Sequence, residues 1–412
     1  MKGYKIINHI FLSLLLYSFA VLCACERKEL SGETKADIDL TTDSVIANAD
    51  ISERLLLLSD SILQQLSLEE RVGQCFMPAV MSRHEKTNIE LIKRYLTDLH
   101  VGGLLLMKGD LLSVSEIVGL VRKSEIPLFV AIDAEWGLNM RLEDAPGFPK
   151  NGLLGKSADE LQLFDYGVEV ARESKLMGIN MVLGPVIDVV ETFGRGAIGR
   201  RSFGKDPQRV KRLGISYAMG LEAGGVISVA KHFPGHGSPR SDSHKVLPVV
   251  ERDFEKLDSI DLVPFKGYIE SGLSGIMVGY LAVPALDASG RPAAVSDSII
   301  ENFLKDKMGF KGIVLTDALN MGGATGYTAL DALEAGADII VSPKDIFSEM
   351  REVIKAVRSG RLAMDKIEDK CRKILYYKLL IEEYEENPVF STARLKEMLG
   401  KEAARIDSLL KN

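Results

Sequence analysis

The sequence predicts an α/β fold: a single (β/α)8 barrel of the TIM type with a helical C-terminal tail. Three observations carry the prediction. From about residue 70 onward, eight short apolar runs recur. Helical patterns lie between them. The first run leads into "FMPAVMSRHEK", which lacks the glycine-rich phosphate loop that a doubly wound open sheet usually places there.

In chain order the runs are "VGQCFMPAV", "VGGLLLM", "PLFVAID", "INMVLGPVIDV", "GVISVAK", "GIMVGY", "GIVLTDA" and "GADIIVSP". Each is nearly continuous in apolar character, as expected of strands covered on both faces. The intervening "TNIELIKRYLTDL", "ADELQLFDYGVEVARESKLMG", "DPQRVKRLGISYAMGLEAG" and "SDSIIENFLKDKMG" carry helical spacing, and several start at a Ser, Asp or Thr cap and stop at a glycine. The predicted organisation is a signal over 1–24, a polar tether over 25–55, the barrel over 56–385 and a helical tail over 386–412. In that tail Leu395, Met398, Leu399, Ile406 and Leu409 fall on one stripe.

The amino terminus reads as a targeting segment. "MKGYK" is a short basic start, and "FLSLLLYSFAVL" is short for a transmembrane helix. The run closes on "LCAC". Small residues ahead of Cys25 resemble a bacterial lipoprotein signal, in which cleavage leaves Cys25 lipidated at the cell envelope, on the periplasmic or the outer face. A plain secretory signal and a single anchor helix are the alternatives. Residues 26–50 are polar and lack aromatics. Of the four cysteines, Cys75 and Cys371 remain in apolar or helical surroundings. They read as buried free thiols, with a disulfide open in an oxidising compartment.

Among 412 residues, 46% are hydrophobic and 26% charged, enough for a sizeable core. The net charge of −7 argues against a nucleic-acid partner and against electrostatic docking to anionic lipid. A membrane would be reached through the lipid anchor only.

In a barrel of this kind, chemistry gathers where strands end. The third run ends in Asp133, followed by Glu135 and Trp136. The fourth ends near Asp188, the fifth in Lys231 and His232, and the seventh in Asp317. Tyr280 and Ser342 close the sixth and eighth. Asp188 suits a loop cap, Glu135 a structural ion pair, and Trp136 either a filled barrel mouth or a stacking face for sugar. Asp317 suits a nucleophile or a stabiliser of oxocarbenium charge. Such a site needs a second group that gives and later takes a proton. "KHFPGHGSPRSDSH" offers Asp242-Ser243-His244, in which a carboxylate beside an imidazole keeps a protonated donor available near neutrality. Gly235 and Gly237 would let the loop swing. His236 has no assigned role.

Together, "KHFPGHGSPRSDSH" and "GIVLTDALNM" closely resemble glycoside hydrolase family 3, in its bacterial β-N-acetylglucosaminidase branch. "GINMVLGPVIDV", "AIGRRSFGKDP" and "VPALD" before "RPAAVS" extend the resemblance over about residues 60–385. It implies a (β/α)8 barrel and a retaining double displacement. Asp317 would be the nucleophile, His244 the acid/base and Asp242 its partner. Asp133, Arg141, Arg201, Lys231 and His232 would grip an N-acetylglucosamine ring. No metal or other cofactor is implied. The sequence departs from the branch in "DAEWGLNMR", where Trp136 replaces a glycine and Leu138 an arginine, and at Tyr280, where a histidine is common. The expected activity is an exo-β-N-acetylhexosaminidase acting on peptidoglycan fragments or other amino-sugar glycans. Two alternatives stay open: a metal-dependent hydrolase built on His232, His236 and His244, and a non-catalytic lipoprotein that binds cell-wall sugar.

Overall fold

The computed structural model describes residues 42–192, 196–237 and 246–381, with side chains from residue 53. Cys25, the signal, the whole tail, Asp242 and His244 lie outside the described residues.

All eight apolar runs contain strand. The first holds two pieces, β1 (Phe76–Met77) and β2 (Ala79–Ser82), parted by Pro78, which has no N–H to give a ladder. The others are β3 (Gly103–Gly109), β4 (Phe129–Ile132), β5 (Met181–Val182), β6 (Ile227–Phe233), β7 (Gly275–Val278), β8 (Ile313–Thr316) and β9 (Ile340–Val341). Strands β2 to β8 form a curled, wholly parallel seven-stranded sheet in chain order. β1 and β9 pair in parallel beside it. Leu315 bridges Ile339, and Gly102 N–H donates to the Phe76 carbonyl at 3.0 Å, so the pair is tied to β8 on one side and to the start of β3 on the other. Every residue of β4, β6, β7 and β8 is buried, as parallel strands covered on both faces require.

Helices return the chain between strands. Ser67 caps Leu68–Gln74 and Asp159 caps Glu160–Leu176, each in a reciprocal capping box. Asp206 caps Pro207–Ala223, with Pro207 at its first position. The helix from Phe254 to Glu270 contains a π turn over Leu257–Asp261, and Ser298–Lys307 is π-helical. The π turn puts the buried Asp261 carboxylate beneath Gly235.

The tether expected to reach residue 55 is instead helix from Thr42 to Gln65. Its cause is a buried stripe: Leu55, Ser59 and Leu63, four residues apart, all face inward. Leu63 packs with Cys371 and Leu375 of the last described helix, Met364–Leu380. Arg372 Nε adds a bond to Asp60 Oδ1 at 2.5 Å. The polar residues 26–50 hide the helix, because the apolar run that carries the stripe begins only at Leu55, where the tether is expected to end. Cys75 and Cys371 are buried free thiols. Burial pushes the Cys371 thiol up to about 12, so it is not a thiolate near neutrality.

One buried carboxyl stands outside any ion pair. Glu173, on Glu160–Leu176, is fully buried, and neither oxygen has a hydrogen-bond partner among the described residues. Burial, with Glu169 next and against Arg172, pushes it up to about 9. The folded chain therefore holds Glu173 protonated where the unfolded chain ionises it. Its contribution is complete below the ordinary carboxyl value and is lost as pH rises towards 9. Glu173→Gln should thus match the parent near pH 4.5 and gain on it as pH rises, by about 3 kcal/mol at pH 7. Urea unfolding of both proteins at pH 5, 7 and 9 checks this; a pH-independent difference contradicts it.

Candidate active site

The ends of the parallel strands face one cavity of about 390 Å³. β4 delivers Asp133 and, two residues on, Glu135. The 3-10 turns Leu138–Met140 and Gly199–Arg201 bring Arg141 and Arg201. β6 ends with Lys231 and His232, and Asp317 follows β8. All seven residues line the cavity. Lys231 and His232 are neighbours, and regular strand would send them to opposite faces. The β6–β7 register shifts between Lys231 and Phe233, and both side chains reach the same space.

The polar wall is a chain of buried ion pairs. Lys231 Nζ donates to Asp133 Oδ1 at 2.6 Å and lies 2.9 Å from Glu135 Oε1. Arg141 Nη2 donates to Asp133 Oδ2. Arg201 grips Glu135 with both arms, Nη2 to Oε1 at 2.7 Å and Nε to Oε2 at 2.9 Å. Burial by itself would raise both carboxyls. Lys231 and Arg141 outweigh it at Asp133 and hold that group well below the usual carboxylate range. Arg201 and Lys231 do the same at Glu135, down to about 2. Glu135, whose role the sequence leaves open, is thus the counter-ion that fixes Arg201 and Lys231.

Asp188 lies behind this wall, fully buried. Its carboxylate receives His232 Nδ1 at 2.8 Å, the His232 backbone N–H at 3.2 Å and the His236 backbone N–H at 2.6 Å. It caps a loop, as its position suggests, and it also holds a cavity side chain. His236 lines the cavity with its ring 5.9 Å from that of His232, and burial, then His232, pushes its imidazole down.

Asp317 is half-buried. Its Oδ1 accepts from Ala318 N–H at 2.7 Å, and its own N–H donates to the Val278 carbonyl at 2.9 Å. The segment beyond it runs along β9, with Leu319 N–H to Val341 O and Asn320 N–H to Ser342 O. Ser342, at the rim, is a non-glycine residue with φ +47°. The cavity is also lined by the apolar side chains of Leu105, Met107, Met277, Met321 and Val341, and Met277 stands beside Lys231 in the β6–β7 register. Nothing in the sequence distinguishes these methionines from core.

Three expectations are qualified by the geometry. Gly235 and Gly237, read as places where the loop could swing, also stand at close contacts. A Cβ on Gly235 would sit 2.7 Å from Asp261 Cβ, and one on Gly237 would sit 1.9 Å from the Val189 carbonyl oxygen. Trp136 carries Lys150 Nζ over its ring at 4.9 Å, so that face is taken by a cation of the chain itself. The metal alternative loses His232, because Nδ1 is bound to Asp188 and Nε2 faces Arg201 Nη2 at 3.5 Å. A dication at Nε2 would meet a guanidinium. Tyr280 is fully buried, and burial, with Asp317 next, pushes its phenol far above the ordinary range.

Known proteins fit this arrangement. Residues 67–377 match the model of the glycosyl hydrolase family 3 N-terminal domain. A β-hexosaminidase A of Pseudoalteromonas piscicida is 30% identical over 375 residues, which are 80% of this chain and 62% of that protein. The chain therefore spans less than two thirds of that relative. A β-hexosaminidase of Neisseria meningitidis is 33% identical over 66% of this chain and 80% of its own. The solved structure of a family 3 β-N-acetylglucosaminidase from Paenibacillus sp. str. FPU-7 superposes with a TM-score of 0.74 at 28% identity, over 82% of this chain and 69% of the other. With three quarters of its length inside the family match, the chain belongs to glycosyl hydrolase family 3.

Proposed function

We propose that this chain is a retaining exo-β-N-acetylhexosaminidase that releases terminal β-linked N-acetylglucosamine from peptidoglycan fragments or other amino-sugar glycans. The observation that carries the reading is the half-buried Asp317 facing a cavity whose other wall is the fixed array of Asp133, Arg141, Lys231, His232 and Arg201. The names of the relatives above support the amino-sugar. Asp317 attacks the anomeric carbon, and the bond from that carbon to the aglycon oxygen breaks. His244, oriented by Asp242, gives the departing oxygen its proton. A water then attacks the same carbon, returns a proton to His244 and frees Asp317. The paired cations and carboxylates are set before substrate arrives, so they orient the ring without reorganising.

In the same reading the two sheets are one closed eight-stranded (β/α)8 barrel with a helical tail. The bonds from β9 to β1 and β8, and from the start of β3 to β1, support it. Cys25 carries a lipid that holds the enzyme at the cell envelope, on the evidence of the "LCAC" signal pattern.

Product analysis after incubation with defined muropeptides and chitooligosaccharides tests the whole reading: free N-acetylglucosamine is expected, and its absence across the panel refutes it. Asp317→Asn should cut turnover of aryl N-acetyl-β-glucosaminides by at least about 10³-fold, since no covalent intermediate can form. A variant that still turns over at the parent's rate removes Asp317 from the nucleophile's role. His244→Ala should lose far more rate on substrates with poor leaving groups than on activated aryl glycosides, which need little protonation. Equal losses on both would exclude His244 as the acid.

A further inference from the structure

We propose that Asp188 is a positioning residue that locks His232 in the Nδ1–H tautomer, so that Nε2 meets the sugar as a hydrogen-bond acceptor. The inference rests on the sugar-site reading of the cavity. Asp188 touches no substrate; it acts through His232.

The geometry fixes the proton. Asp188 is fully buried, and besides the His232 ring its carboxylate accepts the backbone N–H of His232 at 3.2 Å and that of His236 at 2.6 Å, a pattern that favours the ionised form. A carboxylate only accepts, so His232 Nδ1, at 2.8 Å, must carry a hydrogen. On the other side of the ring, Nε2 faces Arg201 Nη2 at 3.5 Å. A guanidinium only donates, so a second hydrogen on Nε2 would oppose one on Arg201. With the hydrogen on Nδ1, the lone pair of Nε2 is turned to the cavity. Arg201 cannot turn away, because Glu135 holds both its arms.

Asp188 reaches Arg201 by its backbone too. Its carbonyl accepts from Ser202 Oγ at 2.6 Å, which anchors the turn that carries Arg201. One residue thus sets the acceptor on His232 and the height of the donor beside it. A hydroxyl placed between them donates to Nε2 and accepts from Nη2. A group that only accepts, or a missing hydroxyl, leaves Nε2 unpaired in a buried site. By that argument the pair discriminates by roughly 10- to 100-fold.

Two measurements test the tautomer. The first is nitrogen-detected imidazole NMR of the unaltered protein near neutral pH, with His232 assigned by loss of its signals in His232→Gln. A protonated Nδ1 and a bare Nε2 are expected. A proton on Nε2, alone or with one on Nδ1, overturns the proposal, and this reading needs neither activity nor a variant at Asp188. The second uses Asp188→Asn, whose amide can donate to Nδ1 and move the proton to Nε2. Against aryl N-acetylglucosaminides lacking one ring hydroxyl each, the parent should penalise one deoxy position by the factor above. The variant should lose most of that penalty, mainly through KM on the complete sugar. A purely structural role would lower kcat alike on every substrate and leave the penalty intact, which overturns the proposal. Should the parent cleave none of the panel, the proposed function fails, while the spectrum still decides the tautomer.

Discussion

The cavity wall depends on two buried carboxylates, the buried Lys231 and two partly buried arginines, none of which can be left alone. A lone charge in such a place costs several kcal/mol, and removing one partner strands another. Lys231 is the shared member, within 2.9 Å of both Asp133 and Glu135. Asp133 then fixes Arg141, and Glu135 fixes Arg201. The five residues come from four separate stretches of chain, and only a parallel sheet with all its strand ends at one rim brings them together. The fold is in this sense a device for closing a charge network. The network in turn holds the strand ends at fixed separations.

Apolar side chains share the cavity with the charged groups, and the mixture has a consequence. Leu105, Met107, Met277, Met321 and Val341 lower the local dielectric, which strengthens polar contacts made inside the cavity. A pyranose has hydroxyls around its edge and C–H groups on its faces. In the proposed reading, a cavity lined by both charged groups and pliable thioethers can match both.

How much of this was legible in the sequence follows from the same physics. Strands buried on both faces leave unbroken apolar runs, and so all eight runs contain strand. A titratable residue directly after such a run has few places to point, which is why Asp133, Lys231, His232 and Asp317 could be singled out by position. Arg141 and Arg201 stand on short 3-10 turns with no periodic signal, and only resemblance to a family points to them. Glu135 reads as a possible ion-pair partner, but pairing with residues 66 and 96 positions away is not a local property. The helix from Thr42 escapes notice because its first turns are polar and its buried stripe begins only at Leu55. The glycines of the histidine loop look like hinges in sequence and are contact points in space, since an absent side chain gives no hint of what fills the room it leaves.

The network also constrains where the acid of the reaction can come from. Asp133 and Glu135 are held ionised, far below neutrality, and Arg201 is pushed further upward by Glu135 despite its burial. His236 is pushed down by burial and its histidine neighbour, towards the neutral form. The Nδ1 of His232 is committed to Asp188. An array built to hold its charges constant suits gripping a ring. It is unsuited to giving up and recovering a proton in each turnover, which needs a group whose charge changes near the working pH. That division of labour favours a proton donor that stands outside the network, and the Asp242–His244 pair a few residues beyond His236 has the right chemistry for it. In the proposed reading one loop then serves both tasks: its first residues, Lys231 and His232, belong to the fixed array, and proton transfer is assigned to Asp242 and His244 further along it.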